Sequence, residues 1–202
     1  MPLSRFRVGA SGRGRDRAGI AALAGYAALA FLYLGVRLVV EPGRNYVGFR
    51  SDPKAFIWCF AWWPYALLHG QNPFVSHALW APSGVNLLWT ASIPGLALLF
   101  APLTLLVGPV ASYNIASLLL PALAAWTAFL LCRQLTRAVW PSLVGGYLFG
   151  FSSYVLAQEG HPNISAVFVV PLIVLVTLRF VEGELDGRAS SCGSGRCSGS
   201  SS

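Results

Sequence analysis

Charge is scarce in this chain. Only 10% of its 202 residues are charged, and seven of them are acidic. A soluble domain carries about 25% charged residues, so there is too little polar surface here to coat one. Cysteine is also too sparse and too scattered to build a metal centre. Cys59 and Cys132 lie in apolar surroundings, and Cys192 and Cys197 sit in the tail GRASSCGSGRCSGSSS. Their spacing is wider than a two-residue knuckle and no His/Cys pair completes a set, which argues against structural zinc and iron–sulfur clusters. No phosphate-cradling lysine motif and no dinucleotide glycine pattern follows a strand, so no nucleotide cofactor is expected. No serine occupies a nucleophile elbow, and no internal repeat suggests the two halves of a transporter.

What is abundant is apolar. Hydrophobic residues make up 55% of the chain, with a mean hydropathy of +0.62. Four stretches stand out, at 18–40, 110–132, 138–157 and 164–180. A hydrocarbon core of roughly 30 Å needs about 20 apolar residues in a helix, because unsatisfied backbone groups are too costly in lipid. The first stretch meets that length, and its one charge, Arg37, lies near the end, where it can snorkel. Small residues such as Ala124, Ala125, Gly145 and Gly146 would let helices approach closely. The pattern predicts an all-α fold, a polytopic membrane helical bundle.

The net charge of +7 is concentrated rather than spread. Arg5, Arg7, Arg13, Arg15 and Arg17 precede the first apolar stretch. That is the placement of an arm held at the cytoplasmic face, with anionic membrane lipid rather than nucleic acid as its partner. The stretch that follows is too long for a cleavable signal and reads as an uncleaved anchor. If every apolar run crossed, the 133–137 turn with its two arginines would face away from the arm. The run 93–107 resolves the conflict: it starts beside Pro94, is interrupted by Pro102, and is short enough for an interfacial or re-entrant element. The expected organisation is a cytoplasmic arm (1–17), a membrane domain (18–180) and a disordered low-complexity tail (181–202). Residues 41–109 form a structured outer segment in the first outer loop, and the protein sits in the cell membrane with its N-terminus cytoplasmic.

Within the outer segment, Ser51-Asp52-Pro53 is a helix start, and Trp58, Trp62 and Trp63 suit the headgroup level. Asp52 reads two ways: as a helix cap, or as a carboxylate at the membrane surface that is a general base or a divalent-metal ligand. Glu41, at the mouth of the first span, marks its exit. The turn Gln158-Glu159-Gly160-His161-Pro162-Asn163 falls on the same face as Asp52. Glu159 and His161 can be plain turn residues, share a metal with Asp52, or form an acid/base pair with it. His69 and His77 lie in turn-rich stretches, and Asn86 can donate to a headgroup or sugar.

In this order the chain resembles the N-terminal part of the C-type, lipid-sugar-dependent membrane glycosyltransferases, such as the protein O-mannosyltransferases and aminoarabinose transferases. The likeness lies in GFRSDPKAFIWCFAWWPYALLHGQNPF, then NLLWTASIPGLALLFAPLTLLVGP, then the span closed by LLCRQLTR, then WPSLVGGYLFGFSSYVLAQEGHPN. It implies a polyprenyl-phosphate sugar donor, with the first-loop carboxylate, Asp52, as base or metal-associated residue. In that family a second acidic residue often follows directly or lies in a later outer loop; Pro53 stands directly after Asp52, which leaves Glu159, with His161 beside it, as the later candidate. Arg44, Arg50 and Lys54 flank Asp52 and would offset charge on the leaving phosphate. Such transferases have more spans than this chain, so the expectation is an N-terminal fragment that lacks a C-terminal membrane domain or partner helices. A complete, noncatalytic membrane protein or assembly partner is the alternative.

Overall fold

The computed structural model describes residues 12–39, 45–48 and 51–182. Within these the regular structure is helical apart from one hairpin of two-residue strands, which lies in a turn-rich stretch at 69–93. Helix α1 (Gly12–Ala30) begins inside the stretch expected to be an arm. It continues through a π turn (Phe31–Gly35) and a 3-10 turn (Val36–Leu38). Helix α2 (Asp52–Leu68) follows, then strands β1 (Val75–Ser76) and β2 (Val85–Asn86), paired antiparallel. Next come α3 (Pro94–Leu99), α4 (Ala101–Val107), α5 (Pro109–Thr136), α6 (Val139–Gly150), α7 (Ser153–Ala157), α8 (Pro162–Ser165) and α9 (Val169–Val181).

Three stretches are helical, long and apolar enough to cross a membrane: Arg17–Leu38, Pro109–Thr136 and Pro162–Val181. The apolar run 93–107 is split at Phe100 into α3 and α4, six and seven residues long. At 1.5 Å per residue neither approaches the thickness of a bilayer core. The stretch expected as one helix over 138–157 is also split. Helix α6 ends at Gly150, and Ser152 caps α7 by accepting from the Val155 amide at 3.4 Å.

Helix α5 is the axis of the molecule, 28 residues or roughly 42 Å long. It is also the most buried of the three long helices. Helix α1 runs antiparallel to it: Trp126 Nε1 donates to the Gly19 carbonyl at 2.9 Å, while Asn45, beyond the end of α1, meets Asn114. Helix α6 also returns antiparallel along α5, and Tyr26 of α1 donates to the Leu143 carbonyl on it at 2.8 Å. Glycine makes that packing close. A Cβ on Gly146 would lie 2.6 Å from the Ala125 carbonyl oxygen, and one on Gly150 would strike the Ala125 backbone. Helix α9 runs parallel to α5 and brings Glu182 to Gln134, 3.1 Å apart.

The result is a bundle with two distinct ends. Arg17, Arg133, Arg137 and Arg179 lie toward one end, and Asn45, Asp52 and His161 lie toward the other. At the second end a further core joins Phe56, Phe60 and Trp63 of α2 to Ala97 of α3 and to Tyr113 and Ala116 of α5.

The tryptophans correct one expectation. Trp62 and Trp63, read as headgroup-level residues, are buried, and their indole N–H groups donate to the carbonyls of Pro73 (2.9 Å) and Ser92 (2.7 Å). Once its one donor is satisfied internally, an indole ring is core material. The exposed tryptophans are instead Trp80, Trp89 and Trp140.

Candidate functional site

Asp52 is the first residue of α2, and no side-chain bond caps that helix from Ser51. Its carboxylate stands in the first turn, at the positive end of that helix. Its Oδ2 lies 3.1 Å from His161 Nε2, across 109 residues of sequence. The His161 ring also stands edge-on to Phe56 of the same helix. Both partners keep solvent exposure, 56% for the Asp52 side chain and 35% for His161. A polar contact so exposed adds little to stability, so its geometry has to come from elsewhere.

It comes from a three-way backbone contact. Gly48 has φ +101°, a conformation L side chains rarely adopt, and a Cβ there would lie 2.7 Å from Gly160 Cα and 2.9 Å from Pro53 Cγ. Pro53 is fully buried, and Gly160 rests on it. The turn that carries His161 is thus pressed against the first turn of α2. The 45–48 segment is held in turn by α5. Asn114 accepts from the Val47 amide at 3.0 Å and donates to the Asn45 carbonyl at 2.8 Å, and Tyr113 donates to the Val47 carbonyl at 3.0 Å. Asn114 and Tyr113 are buried, and reading the sequence did not single them out. The usable signal was an amide inside an apolar helix, where a polar group needs a partner.

The pair sits at the rim of a cavity of about 490 Å³. Lys54 and Thr90 add polar groups, while Trp58, Leu79, Trp80 and Leu87 supply apolar wall. Trp80 is held with φ 54°, an uncommon conformation for a bulky residue. The Gly84 amide donates to its carbonyl at 3.0 Å. The ring is 79% exposed, yet it faces the same space as Asp52.

The other expected site residues divide. Glu159 is half-buried beside the pair's turn; burial pushes its carboxyl above the ordinary value, and the Arg37 guanidinium partly offsets this. Asn86 accepts from the Leu88 amide at 3.0 Å and so shapes its own turn. His69 stacks on Tyr65, and His77 lines a different cavity. Arg44, Arg50 and Glu41 lie outside the described residues. Among the described residues no three of His, Cys, Asp and Glu gather as a metal-holding group. Asp52 and His161 offer two donors, fewer than the set by which a protein commonly holds a divalent ion.

These features define a helical protein with three helices long and apolar enough to cross a membrane, and with an Asp–His pair where two distant turns meet. The chain belongs to the family described as Domain of unknown function (DUF6311), which it matches over residues 21–192. No curated protein and no solved structure matches it.

Proposed function

We propose that this chain is a polytopic membrane protein of the cell envelope in which Asp52 and His161 serve transfer of a sugar from a polyprenyl-phosphate donor. The observation that carries this reading is the 3.1 Å Asp52–His161 contact at the rim of an apolar-walled cavity that also holds Lys54. A donor with a hydrocarbon chain and a phosphate head needs such a place, because it cannot leave the bilayer. The resemblance of the sequence to lipid-sugar transferases supports the same chemistry.

In the step envisaged, the acceptor hydroxyl oxygen forms a bond to the anomeric carbon while the bond from that carbon to the phosphate oxygen breaks. The electron pair leaves on the phosphate, whose charge the Lys54 ammonium offsets. The hydroxyl proton passes to the Asp52 carboxylate. His161 Nδ1 is buried without a hydrogen-bond partner. A proton on Nε2 strands no buried N–H, so His161 donates to Asp52 Oδ2 and leaves Oδ1 toward the acceptor. Any divalent ion would meet Asp52 and His161 first, and no step here runs through one.

Orientation follows from charge. The end that gathers Arg17, Arg133, Arg137 and Arg179 is assigned to the cytoplasm, which puts the Asp52 end outside. In a background with its native cysteines replaced, Ser51→Cys and Asn163→Cys should label in intact cells, and Thr136→Cys only after permeabilisation. Labelling of Ser51→Cys and Asn163→Cys from opposite sides would break the topology.

The chemical test uses the full chain in its native membranes, with whatever partner helices accompany it there, and radiolabelled polyprenyl-phosphate sugars. Asp52→Asn should lower transfer by about 100-fold or more, with expression and melting temperature unchanged, since a positioned base contributes about 10² to 10⁴ in rate. An assembly partner without activity predicts that Asp52→Asn leaves transfer in those membranes unchanged, and that result removes the transferase reading.

A further inference from the structure

A second cavity, of about 680 Å³, opens beyond the C-terminal half of α2. Trp62, Tyr65, Gln71, Asn72 and His77 line it, and among the described residues no carboxylate, ammonium or guanidinium does. The bonds these residues already make show what several of them have left to offer. Trp62 is largely buried and spends its one N–H on the Pro73 carbonyl, so it adds only apolar surface at the cavity wall, and the exposed ring is that of Tyr65. Asn72 Oδ1 accepts from the Phe74 amide at 3.0 Å, which leaves its NH₂ as a donor. Gln71 is fixed by its backbone, whose amide donates to the Ala66 carbonyl at 2.8 Å after α2 ends. His77 fits against Gly84, where a Cβ would lie 2.7 Å from its Nδ1.

We infer that this cavity binds a neutral carbohydrate. Sugar rings have apolar C–H faces that pack on aromatic rings, and hydroxyls that exchange hydrogen bonds with amides and imidazoles. Competing ligand classes fit poorly. A phosphate would find no cation, a metal ion no carboxylate, and a hydrocarbon chain would cover the amides without satisfying them.

The cavity is also joined to the Asp52 site. Trp58 lines the Asp52 cavity and stacks on Trp62, with ring centroids 5.3 Å apart and planes 10° apart. Trp62 meets Tyr65 at 6.1 Å, and Tyr65 stacks on His69 at 4.1 Å. One aromatic track along α2 therefore links the two cavities. Naming this sugar as the acceptor rests on the transfer reading above; the binding itself does not.

The test takes the full chain in a detergent without a sugar headgroup. Methyl glycosides of glucose, mannose, galactose and arabinose are probed by saturation-transfer difference NMR. At least one should receive magnetisation from the protein's aromatic protons. Tyr65→Ala and Gln71→Ala, both at exposed positions, should each weaken that binding about tenfold, a step of about 1.4 kcal/mol, and Tyr65→Phe should retain it. Asp52→Asn should leave it unchanged, so failure of the transfer chemistry and failure of this site are separable. The inference falls if no glycoside binds at about 10 mM, a level beyond ordinary weak recognition. It falls equally if binding survives both alanine variants, or if inorganic phosphate competes for the site.

Discussion

Gly150→Val is expected to leave no stably folded protein. A Cβ at Gly150 would meet the backbone nitrogen of Ala125 and come 2.5 Å from Ala125 Cβ, well inside any real contact. Relief cannot come from a rotating side chain, because the obstacle is the backbone of α5 itself. Helices α5 and α6 would have to separate along the line where Gly146 also touches Ala125 and Phe129. Overpacking in a core commonly costs 1–3 kcal/mol, and one that parts two backbones belongs with the severe substitutions, at about 4 kcal/mol or more. Thermal unfolding in detergent measures it, with Gly25→Ala as control. Nothing lies within 4 Å of a Cβ at Gly25, so that change should be neutral or slightly stabilising through helix propensity. A Gly150→Val protein that melts with the wild type would mean that α5 and α6 do not pack as described.

Gly48→Ala should take the site apart while leaving the α5–α6 contact intact. The new methyl would meet Gly160 and Pro53, and the backbone at φ +101° would be strained as well. Either the 158–161 turn retreats, carrying His161 from Asp52, or the 45–48 segment breaks its bonds to Asn114 and Tyr113. The expected loss is about 3 kcal/mol, from strain of 1–3 kcal/mol plus the clash. Gly70→Ala separates the two causes, since Gly70 has φ +63° with nothing within 4 Å of its Cβ. It should cost only the strain, about 1–2 kcal/mol. The site itself is read by a short thiol cross-linker between Asp52→Cys and His161→Cys, with the native cysteines replaced. Cross-linking should be efficient with Gly48 and lost with alanine there. Equal cross-linking in both would show that Gly48 does not hold the turns together.

Glu159 and His161 were both expected as candidates to meet Asp52, and the one that reaches it is the imidazole of His161. A turn with Gly160 at its centre and Pro162 after it can present only one of its side chains to a given neighbour. Which one it presents depends on how Gly160 packs on Pro53.

Much of the helical plan was readable residue by residue because its causes are local. Apolar length marks Arg17–Leu38 and Pro109–Thr136 as helices able to cross a bilayer. The Pro94 and Pro102 pattern breaks 93–107 into two short helices, and Asp52-Pro53 opens α2. Hydrogen bonding within a turn and the periodicity of apolar side chains act over a few residues, so a window of sequence contains them. The polar turns at 51–54 and 158–163 were also visible as candidates, since charge is rare enough in this chain to stand out. That the two turns share a face was expected from the charge pattern, but which side chains touch, and what holds them, was not readable in this way. It depends on α1, α5, α6 and α9 stacking in register, on Gly48 fitting against Gly160, and on Asn114 reaching back to Val47 across 67 residues. The burial of Trp62 and Trp63 was hidden for the same reason, because their carbonyl partners lie on loops whose positions follow from packing. Composition and spacing determined which segments became helices and which residues could carry chemistry. Only the packed chain decided which of those residues meet, because close approach between distant segments is settled by steric fit, and that leaves no local pattern.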